Sequence, residues 1–426
     1  MALSEQEIRQ LTDEIVRSLS GIRPRMDESV APTAAASPAD SGWLCDTADQ
    51  AVRAAKAAQA QLAALTLEKR GELIAAMRKA AIDHAEHLAR MAHEETGYGH
   101  ISHKVEKNLL VARRTPGIKD LVTVAHTGDQ GMMLEERAPF GVIGSITPST
   151  NPTSTVINNA ISIIAAGNAV VFNPHPGAKR CSQEAMRLLN AAIASAGGPG
   201  ALITTVREPT MESGQAIMLH PDIPLLSITG GEAVVQVAMK TGKKVIAAGP
   251  GNPPVIVDET ADIAAAARDI VDGASFDNNI MCICEKEVFA VSAIADRLMD
   301  EMVKNGAFLI RGQDIERVAA LTLKPQEGKH VVNRKYVGKN AADILRDAGV
   351  AYQGNPRLII AEVAENHPFV LTEMMMPVLP VVRTRDVEAA IEGAFRAEQG
   401  CSHSAMIHST NIHNMSRAAK RMNTTI

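Results

Sequence analysis

The chain of 426 residues is poor in aromatic residues, in cysteines and in long apolar runs. Aromatic residues make up 3% of it and the formal net charge is −5, which disfavours nucleic-acid binding by phosphate neutralisation and base stacking. The five cysteines are odd in number and include no Cys-x-x-Cys pair, so a reducing compartment is favoured over a disulfide framework or a structural zinc site. The most apolar stretch, residues 156–172, is interrupted by asparagine and serine and therefore does not predict a membrane span.

The N-terminal 44 residues differ in composition from the rest. Apolar residues recur at helical spacing within residues 1–20, after a capping-box signature, and predict a short amphipathic helix. Residues 21–44 are rich in proline, alanine and serine and predict a flexible linker. No basic region followed by an apolar run precedes them, so we expect no secretory signal. The tethered helix either packs on its own domain or docks into a groove of another protein.

The remaining sequence predicts an α/β fold. Residues 46–113 are dominated by alanine, leucine, glutamate and lysine and predict helices. From residue 140 onwards, short apolar runs alternate with helical segments, a pattern typical of a parallel sheet covered by helices on both faces. We predict a Rossmann-type cofactor domain over residues 45–260 and a second α/β domain over residues 261–426. Such sheets bind nucleotides at the carboxyl ends of their strands.

Two turns at predicted strand ends carry candidate ligand-binding residues. Neither Gly-x-Gly-x-x-Gly nor a P-loop motif occurs, but Thr229, Gly230 and Gly231 follow a strand and open a helix, where a pyrophosphate can approach backbone N–H groups. The polar turn 147–152 also ends a strand, and an amide such as that of Asn151 can donate hydrogen bonds to an oxyanion. The plain alternatives are an ordinary strand-to-helix turn and a helix N-cap.

Cys282, Glu373 and His175 are further candidates. Cys282 follows two asparagines at a helix-to-strand junction, where a turn can expose a nucleophilic thiol. The alternative is that Cys282, like Cys284, is a small buried apolar residue. Glu373 precedes an apolar run and His175 stands between two prolines, so a solvated turn and a surface loop are their alternatives.

Taken together, long ordered segments of the chain resemble the aldehyde dehydrogenase superfamily. The resemblance is to its CoA-acylating branch, which includes propionaldehyde and acetaldehyde dehydrogenases of bacterial microcompartments, and it extends over residues 45–426. The segments that carry it are residues 147–179, 228–235, 247–262, 273–288 and 367–382.

The resemblance implies a mechanism and a cofactor site. Cys282 matches the nucleophile, whose thioester with the acyl group is resolved by coenzyme A after a hydride passes to NAD, and no metal is implied. Asn151, together with the backbone N–H of Cys282, matches the oxyanion hole. The implied cofactor contacts come from Thr147, Pro148, Ser149, His175, Thr229, Gly230, Gly231, Ala248, Gly249 and Glu373.

Ala248 marks a departure from the hydrolytic relatives. Those enzymes carry a glutamate at the matching place, as the general base that activates water. Alanine cannot accept a proton, and a thiol needs less activation than water because its pKa is near 8.5 rather than about 15.7. The residue therefore favours CoA over water as the acceptor of the acyl group. NAD is the expected nucleotide, although Lys179 and Arg180 would meet the 2′-phosphate of NADP if they are not solvated surface.

The resemblance also implies partners and a location. The segment near residues 118–140 matches an oligomerisation segment, so we expect a homo-oligomer without nucleic-acid or membrane partners. Residues 1–20 resemble encapsulation peptides, which implies docking to microcompartment shell or core proteins and a place in the lumen of a microcompartment in the cytoplasm. The family continues beyond the segment that matches residues 421–426, so the chain is either incomplete or truncated.

The predicted substrate is propionaldehyde, and three alternatives stay open. The first is an acetaldehyde-preferring homologue, because one methylene changes binding by only about 1–3 kcal/mol. The second is a hydrolytic or semialdehyde dehydrogenase, against which Ala248 argues. The third is a non-catalytic assembly protein, against which the presence of Cys282 and of the glycine turn argues.

Overall fold

The computed structural model describes residues 42–326 and 328–426. The predicted amphipathic helix, residues 1–20, and most of the predicted linker lie outside the described residues. The chain divides into two compact units. Among the described residues, the first comprises residues 42–91 together with Lys107–Ala248, and the second comprises Ala92–Glu106 together with Gly249–Ile426.

Helices and strands are numbered here in chain order. The helices are α1 (Ala48–Ala63), α2 (Leu67–Asp83), α3 (Ala85–Thr96), α4 (Ile101–Arg114), α5 (Pro152–Ala165), α6 (Lys179–Ser195), α7 (Met211–Leu219), α8 (Glu232–Met239), α9 (Ile263–Ser275), α10 (Ser292–Lys304), α11 (Gln313–Thr322), α12 (Ala341–Asp347), α13 (Val387–Ala397) and α14 (Ile412–Met422). The strands are β1 (Leu44–Cys45), β2 (Val124–Gly128), β3 (Gly131–Glu135), β4 (Val142–Thr147), β5 (Ala169–Pro174), β6 (Ile203–Val206), β7 (Leu225–Thr229), β8 (Lys244–Ala248), β9 (Pro254–Val257), β10 (Glu287–Val291), β11 (Ala307–Ile310), β12 (Leu323–Gln326), β13 (Lys329–Val332), β14 (Leu358–Glu362), β15 (Val378–Thr384) and β16 (Met406–His408).

The first unit is built on a parallel sheet of six strands in the order β1-β6-β5-β4-β7-β8. Its central strands are continuous apolar runs with both faces covered, so residues 169–174 of β5 are buried without alternation. The chain leaves β4 towards β5 and β6 and then returns to β7 on the other side of β4. This reversal opens a crevice at the carboxyl end of β4, the usual place for a ligand in a doubly wound sheet.

The second unit contains another parallel sheet of six strands, in the order β11-β14-β15-β10-β9-β16. Strand β10 is buried along its whole length between β9 and β15. Apolar clusters lie on both faces of this sheet, one around α9 and α10 and another around α13. The segment that enters β10, residues 276–286, is therefore fixed at the centre of the unit.

The α/β class and its two parallel sheets confirm the fold predicted from sequence. Two details differ from the prediction. Trp43 is buried and Leu44 pairs with Thr205, so the predicted linker over residues 21–44 does not extend to its stated end. The predicted domain boundary at residue 260 falls after β9, yet β9 pairs with β10 in the second sheet. The apolar pattern of a strand indicates that the strand is buried, but it does not indicate which sheet the strand joins.

One element, an exposed hairpin, lacks a clear signal in the sequence. The antiparallel hairpin of β2 and β3 is exposed on every residue, and it lies within the predicted oligomerisation segment near 118–140. None of the helices in the described ranges combines the length and the apolarity that a bilayer crossing needs.

Candidate active site

The first unit gathers most of the predicted cofactor residues at one edge of its sheet. Thr147 ends β4, Thr229 ends β7 and Ala248 ends β8, while His175 directly follows β5. These four strands are parallel neighbours in the order β5-β4-β7-β8. Their carboxyl ends therefore share one edge, as the sequence pattern predicted for a nucleotide-binding sheet.

The loop after β4 combines buried and half-buried polar groups. Thr147 is 2% exposed, and its hydroxyl has no hydrogen-bond partner among the described residues. Its carbonyl accepts from the backbone N–H of His175 at 3.0 Å, which ties the ends of β4 and β5 together. Pro148 and Ser149 are half-buried and lead into α5.

Asn151 occupies the N-cap position of α5, but its side chain makes no capping hydrogen bond. Its Oδ1 instead accepts from Nζ of Lys107, a buried residue of α4, at 2.6 Å. Its Nδ2 donates to Oγ1 of Thr150 at 3.2 Å. The two ends of the amide are thus distinguished by their partners.

The glycine turn after β7 leaves room beside its backbone. Apart from its chain neighbours, no atom of the described residues lies within 4 Å of the position that a Cβ on Gly231 would occupy, and α8 begins at the next residue. The N–H of Gly230 donates to the carbonyl of Ala248 at 3.2 Å. A phosphate can therefore approach the start of α8 without a side chain in the way.

A narrow apolar slot lies between α7 and α8. It has a volume of about 50 Å³, and its walls include Gly214, Met218, Ala233, Val234 and Val237. No pattern in the sequence predicted α7, so the slot was not expected. The small residues Gly214 and Ala233 were the available signal, because they allow a flat group to enter between two helices.

Two basic side chains, His175 and Lys179, follow β5 in the chain. Nζ of Lys179 pairs with Oε2 of Glu208 at 2.6 Å. His175 is exposed, and its Nδ1 accepts from the N–H of Gly177 at 3.0 Å. The ring of His175 therefore caps its own turn, consistent with the plain surface-loop alternative.

Cys282, in the second unit, follows a turn of unusual backbone conformation. Helix α9 ends at Ser275, and Asp277, Asn278 and Asn279 have φ values of 48°, 56° and 60°. Asparagine and aspartate tolerate this left-handed region better than most residues. The turn that the sequence predicted is present, and it delivers a half-buried Cys282 just before β10.

Buried hydrogen bonds hold this turn. The carboxylate of Asp277 accepts from the N–H of His100 at 2.7 Å and from Nζ of Lys104 at 3.1 Å. The side chain of Asn279 donates to the carbonyls of Ala274 and Glu285. The left-handed conformation is therefore maintained by partners on both sides, which leaves little freedom for the segment before Cys282.

Lys286 brings a buried positive charge to the same segment. Its side chain is 1% exposed, and Nζ donates to the carbonyls of Asn279 at 2.8 Å and Met281 at 3.0 Å. The pKa of the Cys282 thiol lies above its ordinary value, chiefly because of burial and then because of the nearby Glu373 carboxylate. Lys286 opposes both effects by lowering that pKa.

Gly251 is the point where the groups around Cys282 meet. A Cβ added to Gly251 would lie 2.6 Å from the carbonyl oxygen of Cys282 and 2.9 Å from the ring of His403. The N–H of Gly251 donates to the carboxyl group of Glu373, whose pKa is nevertheless raised by burial. Glu373 is thus partly buried beside the thiol segment, and its alternative as a solvated turn is wrong.

His403 and two glutamates near it were not identified from the sequence. Glu398 is 2% exposed and accepts from the N–H groups of Gly400 and His403, each at 3.0 Å. Glu287 is fully buried, and neither of its carboxyl oxygens has a hydrogen-bond partner among the described residues. Burial raises the pKa of Glu287 well above its usual value, which favours the protonated, neutral form of this side chain.

The structure therefore arranges the predicted site residues in two groups, one within each unit. In the first unit, Thr147 to Asn151, the glycine turn and Ala248 share a sheet edge. In the second, Cys282 and Glu373 lie around Gly251, two residues after Gly249. Across residues 42–326 and 328–426, histidine, cysteine, aspartate and glutamate form no group of three suited to hold a metal ion.

A family model, a related protein sequence and two solved structures all match the chain over most of its length. Residues 22–426 match the model of the aldehyde dehydrogenase family. An acetylating acetaldehyde dehydrogenase of Bilophila wadsworthia is 48% identical, with the match covering 100% of this chain and 89% of that protein. A propionaldehyde dehydrogenase from the fucose-utilisation microcompartment of Clostridium phytofermentans is 47% identical, with a TM-score of 0.87 over 90% of this chain and 87% of its own. The structure of Rhodopseudomonas palustris propionaldehyde dehydrogenase with bound propionyl-CoA is 44% identical in sequence. Its TM-score is 0.88, and the match covers 91% of this chain and 85% of that chain.

Proposed function

Because the chain belongs to the aldehyde dehydrogenase family, we propose that it converts an aldehyde, CoA and NAD⁺ into acyl-CoA and NADH through a thioester on Cys282. The observation that carries the proposal is the fixed segment before β10. It places the backbone carbonyl of Cys282 against Gly251, which also borders His403, and it brings the Cys282 thiol near the Glu373 carboxylate. The names of the relatives, an acetylating acetaldehyde dehydrogenase and propionaldehyde dehydrogenases, support the same reaction.

The proposed reaction starts with the thiolate of Cys282. Its sulfur attacks the aldehyde carbon, and the carbonyl oxygen becomes an oxyanion that accepts hydrogen bonds from Nδ2 of Asn151 and the backbone N–H of Cys282. Loss of hydride from that carbon leaves the acyl group on Cys282 as a thioester. The thiolate of CoA then attacks the thioester carbonyl and displaces the sulfur of Cys282, which restores the enzyme.

The residues at the edge of the first sheet fit a nicotinamide dinucleotide. The apolar slot between α7 and α8 suits an adenine ring, and the open backbone at Gly230 and Gly231 suits the pyrophosphate. When bound, NAD⁺ supplies the hydride acceptor. Thr147, Pro148, Ser149, His175, Ala248, Gly249 and Glu373 stay proposed cofactor contacts, with Glu373 at the nicotinamide ribose.

Ala248 and the pKa of the competing acceptors support transfer to CoA rather than to water. Ala248 ends β8 and offers no group that accepts a proton. A thiol ionises far more easily than water, so the absence of a base slows hydrolysis much more than thiolysis.

The substrate that we propose is a short, unbranched aldehyde, with propionaldehyde preferred and acetaldehyde as the alternative. The relatives include enzymes named for each of the two. A single methylene in an apolar pocket separates such substrates by only about 1–3 kcal/mol, so both should turn over.

We also propose that the enzyme works inside a microcompartment as a homo-oligomer. The origin of the Clostridium relative supports the compartment, and the exposed Met132, Met133 and Leu134 of β3 support subunit contacts through the segment near 118–140. Residues 1–20 are the proposed docking helix. Their deletion should preserve turnover of the purified enzyme and abolish co-purification with shells, and continued co-purification would refute the docking role.

The test of the proposed activity is NADH formation from propionaldehyde and NAD⁺, with and without CoA. Wild-type turnover should require CoA, and Cys282→Ala should abolish it. Cys45→Ala is the matched control, because Cys45 lies in β1 of the first unit. Equal turnover without CoA would contradict acyl transfer to CoA, and full activity of Cys282→Ala would contradict the nucleophile. No activity in either condition would favour an assembly protein.

A further inference from the structure

We infer that Lys107 is a positioning residue, which holds Oδ1 of Asn151 and so leaves the N–H end of the amide to serve as the oxyanion donor. The inference rests on the proposed function, since it assigns a support to the proposed oxyanion donor. Lys107 lies on α4, is 7% exposed and donates from Nζ to Oδ1 of Asn151 at 2.6 Å. It lies far from Asn151 in sequence, and its role is visible only in the folded unit.

The orientation of the amide follows from the chemistry of the partner. A carboxamide has an acceptor end and a donor end, and only the donor end can stabilise an oxyanion. An ammonium group donates but cannot accept, so Lys107 can pair only with Oδ1. The opposite orientation would place the NH₂ group of Asn151 against the ammonium, without a hydrogen bond. The hydrogen bond from Nδ2 to Thr150 agrees with this assignment.

The position of Asn151 in the fold strengthens the argument. An asparagine at a helix N-cap normally uses Oδ1 to accept from a backbone N–H in the first turn. Asn151 stands at the N-cap of α5 and makes no such bond. Lys107 therefore draws the side chain away from the capping role that its position would otherwise favour.

The buried charge of Lys107 has a second effect. A positive charge at Oδ1 polarises the amide and makes its N–H groups stronger donors. Because Lys107 is almost fully buried, water screens this effect only weakly. The gain is largest when negative charge develops on the substrate oxygen, so Lys107 should affect kcat more than KM.

Other bonds hold α4 and Thr115, the residue that follows it, against α5, which makes the role of Lys107 separable from packing. The hydroxyl of Thr153 donates to Oδ1 of Asn108 at 2.9 Å, and that of Thr115 donates to Oδ1 of Asn158 at 2.8 Å. Loss of the Lys107 ammonium leaves both bonds in place. Thr153→Val removes one of them without changing Asn151, and it serves as the matched control.

The test is a double-mutant cycle on the rate of NADH formation in the first turnover. Asn151→Ala should lower this rate about 100-fold, as expected for loss of an oxyanion donor. Lys107→Met should lower this rate about 10-fold or more, with little change in KM. Lys107→Arg should recover part of that loss. The rate of the control, Thr153→Val, should stay within about twofold of wild type. Lys107→Met should add little in the Asn151→Ala background.

The outcomes distinguish the inference from the proposed function. Full activity of Lys107→Met, or losses that multiply in the double mutant, would overturn the inference while the reaction itself stands. Full activity of Asn151→Ala, with Cys282→Ala inactive, would overturn the oxyanion role of Asn151 and the inference with it. An inactive but folded wild-type enzyme would overturn the proposed function. Thermal melting of each variant separates a loss of folding from a loss of chemistry.

Discussion

The charge of Glu373 should control the ionisation of Cys282, and Glu373→Gln tests this. The N–H of Gly251 donates to the Glu373 carboxyl group, and a Cβ on Gly251 would lie 2.6 Å from the Cys282 carbonyl oxygen. Glutamine keeps an oxygen that can accept from Gly251 and loses the negative charge. Because the carboxylate raises the pKa of the thiol, its removal should lower that pKa.

The direction of the shift follows from electrostatics. A carboxylate near the thiol disfavours the thiolate, and a partly buried site screens this repulsion less than water does. Removal of the carboxylate charge therefore raises the thiolate fraction at a given pH. Because a less basic thiolate is also less nucleophilic, the alkylation rate at about pH 7 should rise only several-fold, and the midpoint of the pH profile is the more direct readout.

The assay is the pH dependence of Cys282 alkylation by iodoacetamide, followed by mass spectrometry of its peptide without cofactor. The midpoint should move to lower pH in Glu373→Gln and to higher pH in Lys286→Met, because Lys286 lowers the thiol pKa. Glu365→Gln is the matched control, since Glu365 pairs with Arg396 at the protein surface. An unchanged or higher midpoint in Glu373→Gln would refute the electrostatic argument.

Three other substitutions probe the acyl acceptor, the nucleotide and the thiol segment. Ala248→Glu supplies a general base and should raise the ratio of carboxylic acid to acyl-CoA, measured by chromatography of the products; an unchanged ratio would contradict the role of Ala248. Glu208→Gln releases Lys179 from its ion pair and should raise kcat/KM for NADP⁺ relative to that for NAD⁺. An unchanged ratio of the two kcat/KM values would mean that Lys179 does not contact the 2′-phosphate. Gly251→Ala places a methyl group against the Cys282 carbonyl. We therefore expect it to lower stability by about 1–3 kcal/mol and to remove most of the activity. A variant with wild-type melting temperature and turnover would disprove the close approach.

Local sequence patterns predicted the elements that depend on local physics. Apolar runs predicted the buried strands β4, β5 and β10, because both faces of a parallel sheet are covered. The paired asparagines predicted the turn before Cys282, since these residues tolerate a left-handed backbone. Both kinds of signal span fewer than about ten residues.

The missed features depend on contacts between distant segments. Lys107 reaches Asn151 from another helix, and His403 approaches Gly251 from a loop near the end of the chain. Neither has a neighbour in sequence that marks its role. The unit boundary was misplaced for the same reason, because β9 looks like any buried strand and only its pairing with β10 assigns it to the second sheet.

The most direct test of the central claim is the mass of the Cys282 peptide after brief incubation with propionaldehyde and NAD⁺ in the absence of CoA. We expect one propionyl group on Cys282, and we expect it to be lost, with formation of propionyl-CoA, when CoA is added. An unmodified Cys282 in an enzyme that nevertheless forms NADH, or an acyl group on another cysteine, would contradict it.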